Sequence, residues 1–260
     1  MTSDESQVAG AHRNFVASYQ KLVEHNAEGA VLDVGGAFAF VTAIPRSLFN
    51  GCIVVGPTTS DQLERAIEWL RMRGLPHRLW IAEARTAGLA DIALARGFER
   101  AERVYPGMVL HPLPEPPSPP AGVTVAAVDG SSLEEFVGVA TEAGFEPPVA
   151  RRLFSRSFAS DVDVQLFIGR LDGGPVGTSV AIRSGDVSGI YAVGTKPSAR
   201  RRGVGTALTW AALAAGRGWG CDLVVLQASE MGLPIYEAMG FRTVVTYSVF
   251  DGPLPAPSRS

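Results

Sequence analysis

The stretch Arg-Arg-Arg-Gly-Val-Gly at residues 200–205 lies between an apolar segment at residues 190–193 and a run with helical periodicity. The periodic apolar positions that follow are Val204, Leu208, Ala211, Ala212 and Ala215. This order predicts a strand, a turn and a helix. Glycines allow a ligand to approach the backbone, and the first turn of a helix presents unpaired N–H groups to anions. The stretch therefore predicts a site for a phosphate-bearing ligand, and a solvated loop is the alternative when it is taken alone.

Two common phosphate-binding motifs do not fit this stretch. A Walker loop requires Gly-Lys followed by Ser or Thr, and the dinucleotide-binding fingerprint requires a third glycine after Gly205. Neither is present around residues 200–205. Another kind of pyrophosphate site is needed.

The overall composition makes the arginine cluster a local feature. The chain has 260 residues and a formal net charge of −3, so nucleic acid is not expected as a partner. The length allows two domains with separate cores. Cys52 and Cys221 are expected to be buried free thiols, and neither a disulfide nor a metal site is expected.

Residues 1–10 are polar and acidic, which is unlike a signal peptide and predicts an unstructured lead-in. No apolar window is long enough to cross a bilayer, so no membrane partner is expected. These features favour a soluble, cytoplasmic protein.

A proline-rich segment divides the chain. Residues 111–121 read His-Pro-Leu-Pro-Glu-Pro-Pro-Ser-Pro-Pro-Ala, which suits neither a helix interior nor a central strand. We therefore predict a domain at 1–110, a linker at 111–121, a second domain at 122–252 and a tail at 253–260. An ordered surface loop within one domain is the alternative interpretation of the linker.

The second half alternates between strand and helix patterns. Strands are predicted at 123–128, 164–170, 176–183, 188–193, 223–227 and 244–250, and helices at 131–143, 148–158 and 233–239. A helix also follows the glycine turn. The order predicts an α/β fold with a mixed, mostly antiparallel sheet flanked by helices.

This order of elements, with two sequence signatures, resembles the GNAT acetyltransferase superfamily over residues 121–250. The first signature is residues 195–206, which match the family's Arg/Gln-x-x-Gly-x-Gly/Ala coenzyme A loop. The second is Leu-Gln-Ala-Ser at 226–229 followed by Ile-Tyr-Glu-Ala-Met-Gly-Phe at 235–241. The resemblance implies acetyl-CoA as cofactor and a central strand pair that is splayed apart.

The resemblance also implies residue roles. Backbone N–H groups of residues 201–206 would hold the pyrophosphate, with the positive side chains assisting, and residues 193–195 would lie along the pantetheine arm. Ser229 occupies the place of an asparagine that touches the cofactor in many relatives. The cofactor-binding residues implied are Val193, Gly194, Thr195, Arg200, Arg201, Arg202, Gly203, Val204, Gly205, Thr206 and Ser229.

Tyr236 is the catalytic residue that the second signature implies, because a phenol near the sulfur could give a proton to the leaving thiolate. Alternatively, Tyr236 has a structural role and packs on the sheet. A backbone N–H of residues 190–194 could hold the oxyanion.

No general base is assigned: Glu142, Glu146 and Glu230 are interpreted as solvated charges. Gln227 and Tyr191 could orient substrate or water, or could be structural.

The first half resembles a degenerate copy of the second. Residues 53–57, 79–89 and 97–98 repeat the order of 192–194, 224–233 and 240–241. The coenzyme A loop is missing before the helix expected at 60–73, and Ala93 stands where Tyr236 stands. A second GNAT-like domain that does not bind coenzyme A is therefore predicted, which could form a wall of the acceptor cleft or the surface of a homodimer.

The function implied is acetyl-CoA-dependent N-acetyl transfer to a primary amine of a small molecule or protein. The alternative is a non-catalytic acyl-CoA sensor or scaffold, which the missing base and the degenerate copy favour. Acceptor specificity is expected in the loops at 141–148 and 244–248.

Overall fold

A computed structural model describes residues 3–85 and 88–253. Residues 254–260, most of the predicted tail, lie outside this range. The helices are α1 Ser3–Glu24, α2 Ser60–Met72, α3 Leu89–Ala95, α4 Leu133–Ala143, α5 Pro147–Leu153, α6 Arg156–Ala159, α7 Val204–Gly218 and α8 Leu233–Ala238. The strands are β1 Ala30–Asp33, β2 Ala37–Val41, β3 Asn50–Val54, β4 Arg78–Ala82, β5 Glu99–Leu110, β6 Val123–Ala127, β7 Val164–Leu171, β8 Gly174–Ser184, β9 Val187–Thr195, β10 Leu223–Gln227 and β11 Arg242–Asp251.

The chain forms two compact units that are interleaved along the sequence. Unit 1 contains residues 3–18, 108–227 and 234–242, and unit 2 contains residues 19–107, 228–233 and 243–253. The predicted ranges 1–110 and 122–252 follow the bulk of each unit, but the first two-thirds of α1 belong to unit 1 and most of β11 belongs to unit 2.

Unit 1 is a mixed sheet with helices on it. Its strands follow the order β10-β9-β8-β7-β6, in which β10 and β9 are parallel and the other pairs are antiparallel. Helix α7 packs on β7, β8 and β9, and α4 packs on the same three strands. The buried apolar face of α7 includes Val204, Leu208, Ala212 and Leu213, which recur at helical spacing as the sequence predicts.

Unit 2 is built in the same way from the first half of the chain and the last strand. Its strands follow the order β1-β2-β3-β4-β11, with β3 and β4 parallel and the other pairs antiparallel. Helix α2 buries Leu63, Ala66, Ile67 and Leu70 against this sheet. A strand-helix-strand connection, β3-α2-β4, thus corresponds to β9-α7-β10 of unit 1.

Two local expectations are wrong. Residues 3–10 begin α1 and do not form an unstructured lead-in; Gly10 packs so closely that a Cβ there would lie 2.6 Å from Leu223 Cδ2. The predicted helix at 148–158 is two helices, because the chain leaves the helical region at Phe154 and Ser155 caps α6 through a 3.3 Å bond from the Phe158 N–H.

Both cysteines are buried free thiols. Among residues 3–85 and 88–253, no helix combines the length and apolar character needed to cross a membrane. Nor does this part of the chain bring together three His, Cys, Asp or Glu side chains that could hold a metal ion.

Candidate functional site

Strands β9 and β10 of unit 1 separate towards their carboxyl ends. Their parallel pairing joins Val187 to Leu223 and continues only to Gly189 and Val225. The last six residues of β9 therefore have no pairing with β10, although β10 continues to Gln227. Unpaired backbone groups at such a gap require another partner. The predicted splayed strand pair is present, and it opens beside residues 193–195.

A β-bulge reshapes β9 at this gap. The pairing with β8 joins Tyr191 to Val180 and Gly194 to Thr178, so two residues, Ala192 and Val193, lie opposite a single residue of β8. Ala192 has φ of +49°, which is unusual for a residue with a side chain. Its carbonyl accepts a 3.1 Å hydrogen bond from Thr178 Oγ1, which holds the bulge in place.

The glycine turn after β9 leaves the start of α7 uncapped. Gly203 is the N-cap with φ of +78° and offers no side-chain acceptor, and the first helical bond runs from the Ala207 N–H to the Gly203 carbonyl at 3.0 Å. Among the described residues, no acceptor meets the N–H groups of Val204, Gly205 and Thr206. The position of Gly203 requires glycine, because a Cβ would also lie 2.5 Å from Pro120 Cγ.

The space in front of this turn is open. A Cβ on Gly205 would meet nothing closer than Thr195 Oγ1 at 3.7 Å. Three N–H groups at the positive end of a fifteen-residue helix face that space and suit a phosphate group. The residues present thus fit the pyrophosphate of coenzyme A, and the gap between β9 and β10 fits an extended arm with amide groups.

The three arginines have different surroundings. Arg200 Nε donates to the Thr195 carbonyl at 3.3 Å, and Arg202 lies 3.5 Å from Asp172 Oδ2. Arg201 has a left-handed φ of +58° and an exposed side chain that contacts no acceptor in the described part of the chain. Arg201 is therefore the arginine of the three whose guanidinium makes no contact with another described residue.

Tyr236 lies on α8, one turn after Leu233. Its ring packs edge-to-face on Phe241 at 5.9 Å, and burial raises the pKa of its hydroxyl to about 12. No hydrogen bond to this hydroxyl comes from any described residue. The phenol is consequently protonated across the neutral range and keeps its proton available.

The other polar residues near the signatures have distinct environments. Glu142 is paired with Lys196 at 2.8 Å, which gives this carboxylate a structural partner. The Nε2 atom of Gln227, at the end of β10, is buried without a hydrogen-bond partner among the described residues. Ser229 lies in unit 2, where its Oγ accepts a 3.2 Å bond from the Gly232 N–H.

A comparison with family models identifies this part of the molecule. Residues 131–241 match the model described as acetyltransferase (GNAT) family. These residues are a GNAT acetyltransferase domain. The family is one of acyltransferase enzymes, so the predicted enzyme class is confirmed. No curated protein matches the chain in sequence.

Solved structures show GNAT folds over nearly the whole chain. A GCN5-related N-acetyltransferase from Kribbella flavida is 21% identical, with 95% of each chain covered and a TM-score of 0.71. A tandem GNAT protein from the clavulanic acid biosynthesis pathway is 14% identical, with 98% of this chain and 97% of that chain covered and a TM-score of 0.61. A GCN5-related N-acetyltransferase from Sphaerobacter thermophilus is 17% identical, with coverage of 86% and 83% and a TM-score of 0.63. The predicted fold class, with two GNAT-like parts, is confirmed.

Two features of unit 1 carried no recognisable sequence signal. The bulge at Ala192 has no glycine to mark its positive φ. The buried side chain of Asn14, in α1, bonds to Tyr191 of β9, which is far away in sequence. The open glycine turn, by contrast, was marked by Gly203 and Gly205 themselves.

Proposed function

We propose that unit 1 transfers an acetyl group from acetyl-CoA to a primary amine of a small molecule or protein. One observation carries this proposal: unit 1 contains two openings together. The first is the gap between β9 and β10 beyond Gly189, and the second is the uncapped start of α7 at Gly203. One opening suits the pantetheine arm and the other suits the pyrophosphate.

The predicted cofactor residues of unit 1 have different roles in this proposal. Residues 193–195 pair with the amides of the pantetheine arm. The N–H groups of residues 204–206 bind the pyrophosphate, and Arg201 supplies a positive charge that no described carboxylate neutralises. Arg200 and Arg202 shape the turn through their contacts with Thr195 and Asp172. Ser229 lies in unit 2, so its contact with the cofactor stays an expectation of the resemblance and carries no part of this proposal.

The chemistry follows from a thioester and an amine. Bound acetyl-CoA supplies the acetyl group as a thioester. The ammonium form of the acceptor first loses a proton to water, and the neutral nitrogen then forms the new C–N bond while the C–S bond breaks. Backbone N–H groups of residues 190–194 are proposed to bind the carbonyl oxygen. Tyr236 gives its hydroxyl proton to the departing sulfur and regains one, through water, from the acylated nitrogen.

The replacement Tyr236→Phe tests the proposed acid. We expect kcat to fall about 100-fold, a typical loss for a general acid, while the dissociation constant for coenzyme A stays within about twofold. Release of the free thiol in the presence of an amine panel measures turnover, and calorimetry measures binding. Tyr19→Phe is the matched control, because it removes a phenol that bonds the Leu48 carbonyl at 3.0 Å.

The same assay separates the enzyme from an acyl-CoA sensor. Thiol release that depends on an amine supports transfer. Tight binding of acetyl-CoA with no amine-dependent release by the wild-type protein would contradict it and support the sensor.

We further propose that unit 2 does not bind coenzyme A. Strands β3 and β4 pair through to Val54 and Ile81, so no gap opens at the end of β3. The start of α2 is closed by a capping box, in which Thr59 Oγ1 accepts from the Gln62 N–H at 3.3 Å and Gln62 Oε1 accepts from the Thr59 N–H at 2.7 Å. Ala93 is buried in the core of this unit. Calorimetry should therefore give one acetyl-CoA per chain, and two would contradict the proposal.

A further inference from the structure

A cavity of about 410 Å³ in unit 1 lies between the proline-rich segment and α7. Residues 116–120 form one side of it, and the face of α7 that carries Thr206, Trp210 and Ala214 forms another. The volume is within the range of small-molecule sites, which runs from about 300 to 1,000 Å³. The proposed function uses the N–H of Thr206 but not this space.

The proline-rich segment is fixed along α7 at both ends. At one end, Arg217 Nη2 donates to the carbonyls of Leu113 and Pro114, at 2.9 Å and 2.6 Å. At the other end, Pro120 lies against the glycine turn, where a Cβ at Gly203 would be 2.5 Å from Pro120 Cγ. The segment is therefore a defined wall of unit 1, and this wall begins beside the turn that is proposed to bind the pyrophosphate.

Thr206 belongs both to the cavity and to that turn. Its N–H is one of the donors that no described acceptor meets at the start of α7, and the residue lines the cavity. Trp210 follows four residues later, which is about one helical turn or a rise of about 6 Å. A ligand group that is joined to a pyrophosphate at this turn can therefore reach the ring of Trp210.

The lining suits an uncharged ring that donates hydrogen bonds. None of the described residues that line the cavity is charged. Trp210 is half-buried and offers an aromatic surface, and Ala207 and Ala211 beside it have short side chains. Prolines have no N–H, and the carbonyls of residues 116–119 accept no hydrogen bond from any described residue. Adenine has the matching chemistry, because it is planar, uncharged at neutral pH and carries an amino group.

We infer that this cavity binds the adenosine group of coenzyme A, with the adenine ring stacked on Trp210 and its amino group bonded to carbonyls of residues 116–119. The inference rests on the proposed function, because it requires the pyrophosphate to bind at the start of α7. The proline-rich segment is then a part of the binding site as well as a connection along the chain. This contact makes coenzyme A a better acyl carrier for the protein than phosphopantetheine, which has no adenosine.

The binding of two ligands tests the cavity without any turnover. Coenzyme A and phosphopantetheine are each titrated by calorimetry into the full chain. We expect Trp210→Ala to weaken coenzyme A binding about tenfold, a typical loss for a base stacked on an aromatic ring, and to change phosphopantetheine binding less than about twofold. Trp219→Ala is the matched control, because it removes a half-buried tryptophan at the other end of α7, outside the cavity. It should change neither affinity.

Two further variants separate stacking from damage to the fold. Trp210→Phe keeps an aromatic surface and should recover most of the affinity for coenzyme A that Trp210→Ala loses. Ala211→Phe should fill the cavity and weaken coenzyme A binding about tenfold, again with phosphopantetheine binding unchanged. The inference is overturned by equal losses for the two ligands in Trp210→Ala, or by wild-type affinity for coenzyme A in both Trp210→Ala and Ala211→Phe.

Kinetic constants distinguish a failure of this inference from a failure of the proposed function. In Trp210→Ala we expect the KM for acetyl-CoA to rise about tenfold while kcat changes less than about twofold. Transfer with a wild-type KM in both Trp210→Ala and Ala211→Phe overturns the adenosine site and leaves the function standing. Binding of coenzyme A that depends on Trp210, without any transfer by the wild-type protein, overturns the function and leaves the adenosine site standing.

Discussion

Asn14 Oδ1 accepts a 2.6 Å hydrogen bond from the Tyr191 hydroxyl within unit 1. The Asn14 Nδ2 atom also donates to the carbonyls of Ile182 and Val187, at 3.0 Å and 3.2 Å. Asn14 is fully buried, and burial raises the pKa of the Tyr191 hydroxyl. One side chain of α1 thus ties together both ends of the β8–β9 turn and the strand that bears the bulge.

Asn14→Leu should destabilise unit 1 strongly. The change removes the amide that donates to two buried carbonyls and accepts from the Tyr191 hydroxyl, and we expect a loss of about 3 kcal/mol in the free energy of unfolding. Chemical denaturation measures this loss. Tyr191→Phe removes only the hydroxyl and should cost about 1 kcal/mol. A loss for Asn14→Leu no larger than for Tyr191→Phe would contradict the role of Asn14 in holding the β8–β9 turn.

Gly189→Ala should be disruptive because α1 leaves no room for a methyl group. A Cβ at Gly189 would overlap Asn14 Oδ1 and lie 2.5 Å from Tyr191 Cε2. We expect a loss of about 2 kcal/mol, as for other overpacked positions. Gly138→Ala in α4 is the control: nothing lies within 4 Å of its Cβ, and the helix should gain up to about 1 kcal/mol. Thermal unfolding of the two variants should therefore shift in opposite directions.

Arg201→Ala should weaken coenzyme A binding and reduce its dependence on salt. The Arg201 guanidinium has no partner in the described part of the chain, so its removal costs only the attraction to phosphate, about 1 kcal/mol or a fivefold loss in affinity. Calorimetry at low and high salt measures both effects. The exposed Arg151→Ala should leave both unchanged. Equal affinities for wild type and Arg201→Ala at low salt would remove Arg201 from the site.

His77 should make unit 2 less stable in mild acid. Burial lowers the pKa of His77 below its ordinary value, and its Nε2 atom is buried without a partner among the described residues. A lowered folded-state pKa means that the folded protein binds the proton less well than the unfolded chain. The contribution of His77 is therefore complete above about pH 6.5 and is lost as the pH falls below it. The stability advantage over His77→Gln should shrink between pH 7.5 and pH 5.5 in chemical denaturation; a constant difference would contradict this.

The pH profile of Tyr236 follows from its raised pKa of about 12. The ratio of wild-type kcat to that of Tyr236→Phe should stay constant from pH 7 to pH 9.5, because the phenol keeps its proton throughout. If the ratio falls towards 1 at a pH below about 10, the ordinary tyrosine pKa, then Tyr236 loses its proton at a lower pH than its burial implies, which contradicts the prediction. The raised pKa also stabilises the folded state at pH values below 10, and this contribution is lost as the pH rises towards 12.

The sequence predicted the parts of the site whose causes are local. Gly203 requires a positive φ, Pro197 ends the strand region, and the apolar spacing from Val204 onward defines α7. The difference between the two helix starts could also be predicted. Thr59 and Gln62 form a capping box at the start of α2, whereas Gly203 leaves the start of α7 without a side-chain cap.

The rest depends on contacts between distant residues. The polar residues at the start of α1 suggest exposure to solvent, and the sequence gives no sign of the hydrogen bond between Tyr191 and Asn14. The bulge at Ala192 depends on Thr178 of the neighbouring strand.

The pairing of β11 with β4 has a consequence for how the protein is made. Tyr247 lies opposite Ala82 and Asp251 opposite Arg78. Strand β4, from the first half of the chain, can therefore pair with β11 only after the ribosome has released the last strand. Residues 3–18 likewise emerge first but belong to a unit whose strands are translated later. A gene cut at the proline-rich segment would yield two fragments that each lack a piece of their own core. Either unit is therefore complete only when the whole chain is made as one polypeptide.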